Sequence, residues 1–263
     1  MSDLIRDWAE GSGLPTPPRD EKTLANVTIL QNLGDAMRES DPSAVARAAL
    51  QEIARRRARL TNQPYAVGTA VIPDHGKRAY LIDSIRHPAE TSLLRRAYAN
   101  AFALIGVVCE ETERKSRILG KYLTQPQQLN EVLVADVDAF IKRDAEDADA
   151  KHGQHVTDAF YESDFFIDNT VIDPTDMMQP LDESLARFVS IIAQDRLIRP
   201  TIEETAMHHA HSARVRSACL SRQVGAALVD CDGTVVATGT NEVPKAGGGV
   251  YGEHFAKASP GGD

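Results

Sequence analysis

Apolar residues at Leu24, Val27, Leu30, Leu33 and Met37 recur every three or four positions, which predicts a helix over 24–37 with one face turned inward. Asp41-Pro42-Ser43 then stops one helix and starts another, since Asp caps and Pro fits a first turn. A second helix is expected over Ala44 to Leu60, its late turns loaded with Arg55, Arg56, Arg57 and Arg59. Ala79 to Asp83 is a short apolar run ending in an acid. It reads as a buried strand whose carboxyl end delivers Asp83 and Arg86 into a crevice, with a helix starting near Pro88. Phe102 to Cys109 is continuously apolar, as in a strand covered on both faces, and Glu110 to Ile118 opens a helix with its acids first. Strand and helix in alternation predict a parallel sheet. A further amphipathic segment runs from Leu129 to Ile141, a short strand from Asp164 to Asn169, and a last helix of this part from Leu181 to Gln194.

Beyond a link at Ile198 to Thr201 the pattern changes. Met207 to about Leu220 lacks Gly and Pro and suits a helix. Val224 to Val229 and Val235 to Thr238 are β-branched runs flanking Asp232-Gly233, a two-residue hairpin signal. Thr240 to Pro244 leaves the sheet, and Gly247-Gly248-Gly249 lets backbone pass where a side chain would not fit. A helix with one hairpin cannot bury its apolar face alone, so Val224, Ala226 and Leu228 are expected to pack on the first domain, to pack on another chain in a homo-oligomer, or to remain partly exposed.

The 263-residue chain is long enough for two domains, and 42% hydrophobic with 5% aromatic residues suits an α/β protein. A net charge of -9 disfavours a surface that coats nucleic acid, because such binding is mostly neutralisation of phosphate by Lys and Arg. No run of 18 apolar residues occurs and MSDLIRDWAEGSG has no signal-peptide core, so a cytoplasmic protein with no membrane partner is expected. Residues 1–25, rich in Gly, Pro and charge around GSGLPTPPRDEK, read as a flexible lead-in. Cys109, Cys219 and Cys231 have no C-x-x-C spacing and read as buried free thiols. His208 and His211 would share a helix face, but no third ligand is near in sequence, so neither a metal nor another cofactor is expected in this chain. The four arginines of the second helix fit either a phosphate-facing patch or a solvated face offsetting the negative helix end.

Ser217, Cys219, Arg222, Gly225, Ala226, Gly239, Asn241 and Pro244, eight positions in the right element order, resemble the opening third of a deoxycytidylate deaminase domain. The segment is similar to the helix, the VGA strand and the G-x-N-x-x-P loop with which that family begins. The resemblance implies that Asn241 hydrogen-bonds the sugar, that Ser217 and Arg222 sit near a deoxycytidine nucleotide, that Pro244 belongs to the same loop, and that Gly247 to Gly249 passes the triphosphate. The family is zinc-dependent, with the signature H-x-E followed by P-C-x-x-C. Neither motif occurs here: Glu253 precedes His254, and no Cys follows Cys231.

Leu30 to Arg38, YLIDSIRHPAE, ERKSR, KRDAED and SDFFIDN together resemble a small nucleotide or dephospho-coenzyme-A type kinase core. That resemblance implies a nucleotide site with Asp83, Arg86 and Arg143, yet nothing matches G-x-x-x-x-G-K-[ST], the loop that cradles phosphates. The expected organisation is a parallel-sheet, nucleotide-kinase-like domain without its phosphate loop over 26–198, then the first helix and hairpin of a cytidine-deaminase-like α/β domain over 199–263. The order resembles the bacterial anti-phage dCTP deaminases. Three functions follow as expectations: a partial or degenerate deoxycytidine-nucleotide deaminase inactive alone, a non-catalytic nucleotide-binding or oligomerising module, and, last, a nucleotide kinase.

Overall fold

The computed structural model describes residues 1–21, 23–145, 155–170, 179–244 and 250–251. The chain is an α/β protein that divides into two units, Met1–Ile192 and Ala193–Asp263. None of the helices among the described residues is long and apolar enough to cross a membrane.

The first unit is built on helices. α2 (Leu24–Ser40) and α3 (Ala44–Leu60) follow the predicted faces, and Leu33, Met37, Val45, Ala46, Ala49 and Ile53 are buried. Thr23 caps α2 by accepting from Asn26 N at 3.2 Å. Asp41 builds the corner between them: Oδ1 accepts from Ser43 N (2.9 Å) and Ser43 Oγ (2.7 Å), while Oδ2 accepts from Arg47 Nε (3.0 Å) and Nη2 (2.7 Å). α4 (Pro88–Tyr98) adds Leu94 to this core, with His87 Nδ1 accepting from Ala89 N and Pro88 in the first turn. Each fully buried Leu or Val stabilises the folded chain by about 1.5–3 kcal/mol.

Residues 1–25 correct the expectation of an unstructured lead-in, since they carry a helix, α1 (Ser2–Gly11), whose Ala9 is fully buried. It packs on α2 and α3. Arg19 returns to it, donating to Asp3 at 3.0 Å and Asp7 at 2.7 Å. The Gly and Pro residues that dominate the composition there all lie beyond Trp8, so they end the helix without preventing it.

β1 (Ile105–Val108) pairs in parallel with β2 (Phe165–Asp168), Ile105 opposite Phe165 and Val108 opposite Asp168. Gly106 is required by crowding: an added Cβ would lie 2.8 Å from Phe166 and 2.9 Å from Phe160. Between the strands come α5 (Glu111–Tyr122), α6 (Glu131–Ala145), which buries Val137 and Ile141, and the short α7 (Val156–Tyr161); α8 (Gln179–Ala193) follows β2. The strand expected at Ala79 to Asp83 does not form. Leu81 is 97% exposed, and the four-residue apolar run Ala79–Ile82, with no partner strand among the described residues, gains too little burial to hold its backbone.

The second unit contains α9 (Ile202–Ala213), β3 (Gly225–Val229) and β4 (Val235–Thr240), the strands antiparallel, then β5 (Val243–Pro244) paired with β6 (Val250–Tyr251). α9 starts earlier than its apolar pattern suggests because Thr201 and Glu204 form a reciprocal capping box: Thr201 Oγ1 accepts from Glu204 N at 3.2 Å, and Glu204 Oε2 accepts from Thr201 N at 2.8 Å. It ends seven residues before Leu220, giving way to a 3₁₀ turn at Arg214–Arg216. The hairpin loop also differs from a two-residue turn. Asp230 N donates to Thr234 O (3.0 Å) and Gly233 N to Asp230 O (3.1 Å), so Cys231 to Gly233 form a three-residue loop with Gly233 at φ +83. Asp230 Oδ1 selects it by accepting from Asp232 N at 3.0 Å and Thr234 N at 2.8 Å.

Candidate functional site

Two polar clusters stand out, one in each unit. In the first, Arg38 and Glu90 form an ion pair inside the helical core, Arg38 Nε and Nη2 each 2.9 Å from Glu90 Oε1. The other Glu90 oxygen accepts from Arg86 N at 3.0 Å. Arg38 Nη1 reaches Asp35 at 3.2 Å, and the second Asp35 oxygen accepts from Arg143 Nη2 at 3.0 Å; the same Nη2 donates to Asn32 Oδ1 at 2.7 Å. Arg86 and Arg143, named from the sequence, therefore belong to one network joined through Glu90, Arg38 and Asp35. Asp83 is not part of it: it is exposed, on no strand, and its carbonyl accepts from the Met1 ammonium at 3.0 Å. Arg38 and Glu90 went unnoticed in the sequence, although both lie inside the motifs quoted for the kinase resemblance; the legible signal is a charged residue on the buried side of each helix.

The arginines of α3 divide. Arg55 and Arg56 both donate to Glu52, at 2.7 and 2.6 Å, on an exposed face. Those two serve the solvated-face reading.

The second cluster occupies the loop Ser217–Val224, which connects the 3₁₀ turn to β3. Its placement starts with Gly225: a Cβ there would sit 1.9 Å from Ala210 O and 2.6 Å from Arg214 N, so only glycine lets β3 begin against the end of α9. The loop is then held by Asn241 at the end of β4. Asn241 Oδ1 accepts from Ser217 Oγ at 2.7 Å and from Val224 N at 2.8 Å, and its Nδ2 donates to Arg222 O at 2.9 Å. Asn241 N donates to Val224 O at 3.1 Å, and Thr240 Oγ1 donates to the same carbonyl at 2.9 Å. Ser217 is buried, and its Oγ also accepts from Cys219 N at 3.2 Å. Gln223 Nε2 donates to Ser217 O at 3.2 Å.

Of the residues expected here, Ser217, Arg222 and Asn241 come together. Pro244 lies three residues on, exposed, in β5 opposite Val250. Gly247 lies outside the described residues. Arg222 differs from its neighbours: its side chain is exposed and makes no hydrogen bond or ion pair among the described residues, while its carbonyl is fixed by Asn241. The Cys219 thiol is held below its ordinary value, chiefly by its hydrogen bond with Ser221 Oγ at 3.2 Å and then by the backbone at Arg222 and Ser221. One oxygen of Glu242 is buried and has no hydrogen-bond partner among the described residues. Nothing in the sequence beyond its place between Asn241 and Pro244 points to that residue.

No family model, curated protein or solved structure matches the chain.

Among the described residues no group of three His, Cys, Asp or Glu side chains could hold a metal, and His208 and His209 meet only ring to ring, at 6.2 Å. A shallow groove of about 470 Å³ between α9 and β4, lined by Thr205, His209 and residues 235–238, contains none of the residues named from the sequence.

Proposed function

We propose that the chain binds deoxycytidine nucleotides in the manner of the deoxycytidylate deaminase family, and that these residues hold the nucleotide without deaminating it. The observation that carries the reading is the braced loop Ser217–Val224, between the helix and the hairpin of a unit with the expected element order, on which the Arg222 side chain is exposed and makes no hydrogen bond or ion pair among the described residues. An exposed arginine on a hydrogen-bonded loop suits a phosphate, whose oxygens match the planar fork of the guanidinium. Deamination needs a hydroxide generated at a metal and a proton-shuttling Glu, and the motifs that supply both are missing from the sequence. The role that goes with the resembled family is depletion of deoxycytidine nucleotides by deamination in anti-phage defence, of which these residues would supply the nucleotide-binding part.

Calorimetric titration of the purified chain with dCTP, dTTP and ATP tests the reading. Binding of dCTP in preference to the other two is expected, with no ammonia released when zinc is added. Absence of dCTP binding at millimolar concentration would refute it.

A second reading rests on the open face of the hairpin, where Leu228 is 63% and Val236 55% exposed. Apolar area of that kind favours self-association, so the second unit also serves as an oligomerising surface. Light scattering across a concentration series is expected to show a species larger than 28.7 kDa, and a strict monomer at high concentration would count against it. Phosphoryl transfer has the weakest support, since Asp83 lies on no strand and no phosphate-cradling loop is present in the sequence.

A further inference from the structure

Resting on the reading of the second unit as a self-associating surface, we propose that two copies of the chain join edge to edge along β4. The two strands run antiparallel, Thr238 faces Thr238 across a two-fold axis, and the two hairpins form one four-stranded sheet. Among the described residues the hairpin is a sheet of two strands only, so the outer edge of β4 has no partner there. A free edge is a template for a further strand, and folded proteins ordinarily blunt it with charge, Pro or a bulge. β4 reads Val-Val-Ala-Thr-Gly-Thr, without charge or Pro, and the one irregularity of the hairpin lies at its tip end, between Leu228 and Val229.

The shallow groove beside α9 runs along this edge. Four consecutive residues, 235–238, line it. Successive side chains of a strand point to opposite faces, so an unbroken run of lining residues means that the backbone edge itself borders the groove. Val236 to Gly239 are all exposed, whereas β3 alternates between half-buried and exposed positions. The direction of the edge groups follows from the ladder. Asn241 N donates to Val224 O, and hydrogen-bonded pairs alternate along an antiparallel ladder, so Gly239 is turned toward Ala226 while Thr238 and Thr240 turn their N–H and C=O outward.

A second copy fits this edge for two reasons. A two-fold axis sets a strand against itself, so a charge at its centre would meet its own like, and β4 carries none. Antiparallel pairing also sends the two hairpin tips to opposite ends of the sheet, which keeps Asp230 and Asp232 of one copy away from those of the other. With the axis at Thr238 the two copies of that residue exchange N–H···O=C bonds, and Val236 of each copy lies opposite Thr240 of the other. Threonine pairs and β-branched pairs of this kind stabilise a sheet.

The test combines sedimentation of the full chain over a concentration series with hydrogen exchange at single amides. A concentration-dependent dimer is expected, with exchange at Thr238 N slowing as the dimer forms. Thr238→Pro removes an outward N–H and no bond to β3, and is expected to raise the dimer dissociation constant about tenfold or more. Unchanged exchange at Gly239 N, which is turned to β3, checks that the hairpin stays intact. Thr238→Lys and Thr238→Glu are each expected to be monomeric alone and to dimerise when mixed, because like charges face each other in the first case and opposite charges in the second. A dimer that forms without slowing Thr238 exchange, or that survives in either charged variant unmixed, would overturn edge pairing and leave self-association through the open face of the hairpin. A strict monomer would overturn the self-association reading and this inference together, and slow exchange at Thr238 N in such a monomer would give the edge to another segment of the chain.

Discussion

Arg38 and Glu90 lie 52 positions apart in sequence and meet inside the first unit, their side chains 3% and 0% exposed, with two nitrogens of the guanidinium each 2.9 Å from one carboxylate oxygen. Removing Arg38 takes the ion-pair partner from the buried Glu90 carboxylate, and removing Glu90 leaves the buried Arg38 guanidinium with Asp35 as its ion-pair partner. Glu90→Gln or Arg38→Met is therefore expected to cost about 3–5 kcal/mol, whereas the paired replacement by apolar residues of similar volume costs much less. Urea unfolding of the three variants measures this, and equal losses for single and double variants would show that packing, not the charge pair, holds α2 to α4.

Gly225 pairs with Thr240 and Gly239 with Ala226, in neighbouring register pairs of the β3–β4 hairpin, and the two glycines differ sharply in surroundings. A methyl group on Gly225 would lie 1.9 Å from Ala210 O, while nothing lies within 4 Å of one on Gly239. Gly225→Ala is expected to destabilise the second unit by about 1–3 kcal/mol, because α9 must retreat from the strand, and Gly239→Ala to change stability little. Thermal unfolding followed through exchange of the β3 amides distinguishes the two.

Asp41 supplies a pH signature for the first unit. Its carboxyl is lowered to about 2, first by the hydrogen bond from the Ser43 hydroxyl and then by the Arg47 side chain and the Ser43 N–H, against the opposing effect of burial. A lowered folded value means that the stabilisation is fully present above the unfolded carboxyl's pKa of about 3.9 and is lost as pH falls toward about 2. Asp41→Asn is therefore expected to be less stable than the wild-type chain at neutral pH, with the difference shrinking through that acid range. A gap independent of pH would contradict the assignment.

Cys219 reports on the braced loop. The Ser221 hydroxyl is the largest influence holding its thiol below the ordinary value, so a larger thiolate fraction is present near neutral pH than in a free cysteine. The midpoint of its alkylation rate against pH is expected to move upward in Ser221→Ala. Peptide mass spectrometry after timed labelling reads this, and an unchanged midpoint would remove the hydroxyl from the explanation.

Much of the fold was legible in the residues, for reasons that also explain what was not. The heptad-like spacing of Leu24, Leu30, Leu33 and Met37 marks α2 because one helix face alone is buried there. The apolar runs ending at Cys109 and Asn169 are strands, and they pair in parallel with helices between them. The similar run at Ala79 to Asp83 is not a strand, because an apolar run specifies burial without naming its partner. The end of α9 could not be seen either: 207–220 contains no helix breaker, and the turn after Ala213 is set by the approach of Gly225 and by Ser217 bonding to Asn241. Thr201-Ile202-Glu203-Glu204, by contrast, was a readable capping box. At the candidate site the residue identities drew attention to Ser217, Arg222 and Asn241, and the hydrogen bonds separate the two that build the loop from the one that faces solvent.

The most direct test of the nucleotide reading compares dCTP with deoxycytidine on the same preparation of the full chain by calorimetry, at two salt concentrations. Measurable dCTP binding that weakens with salt, together with much weaker binding of deoxycytidine, is the expected result, because the contact assigned to Arg222 is to phosphate. Equal affinity for the two ligands would contradict the role of Arg222, and no binding of either would contradict the function itself.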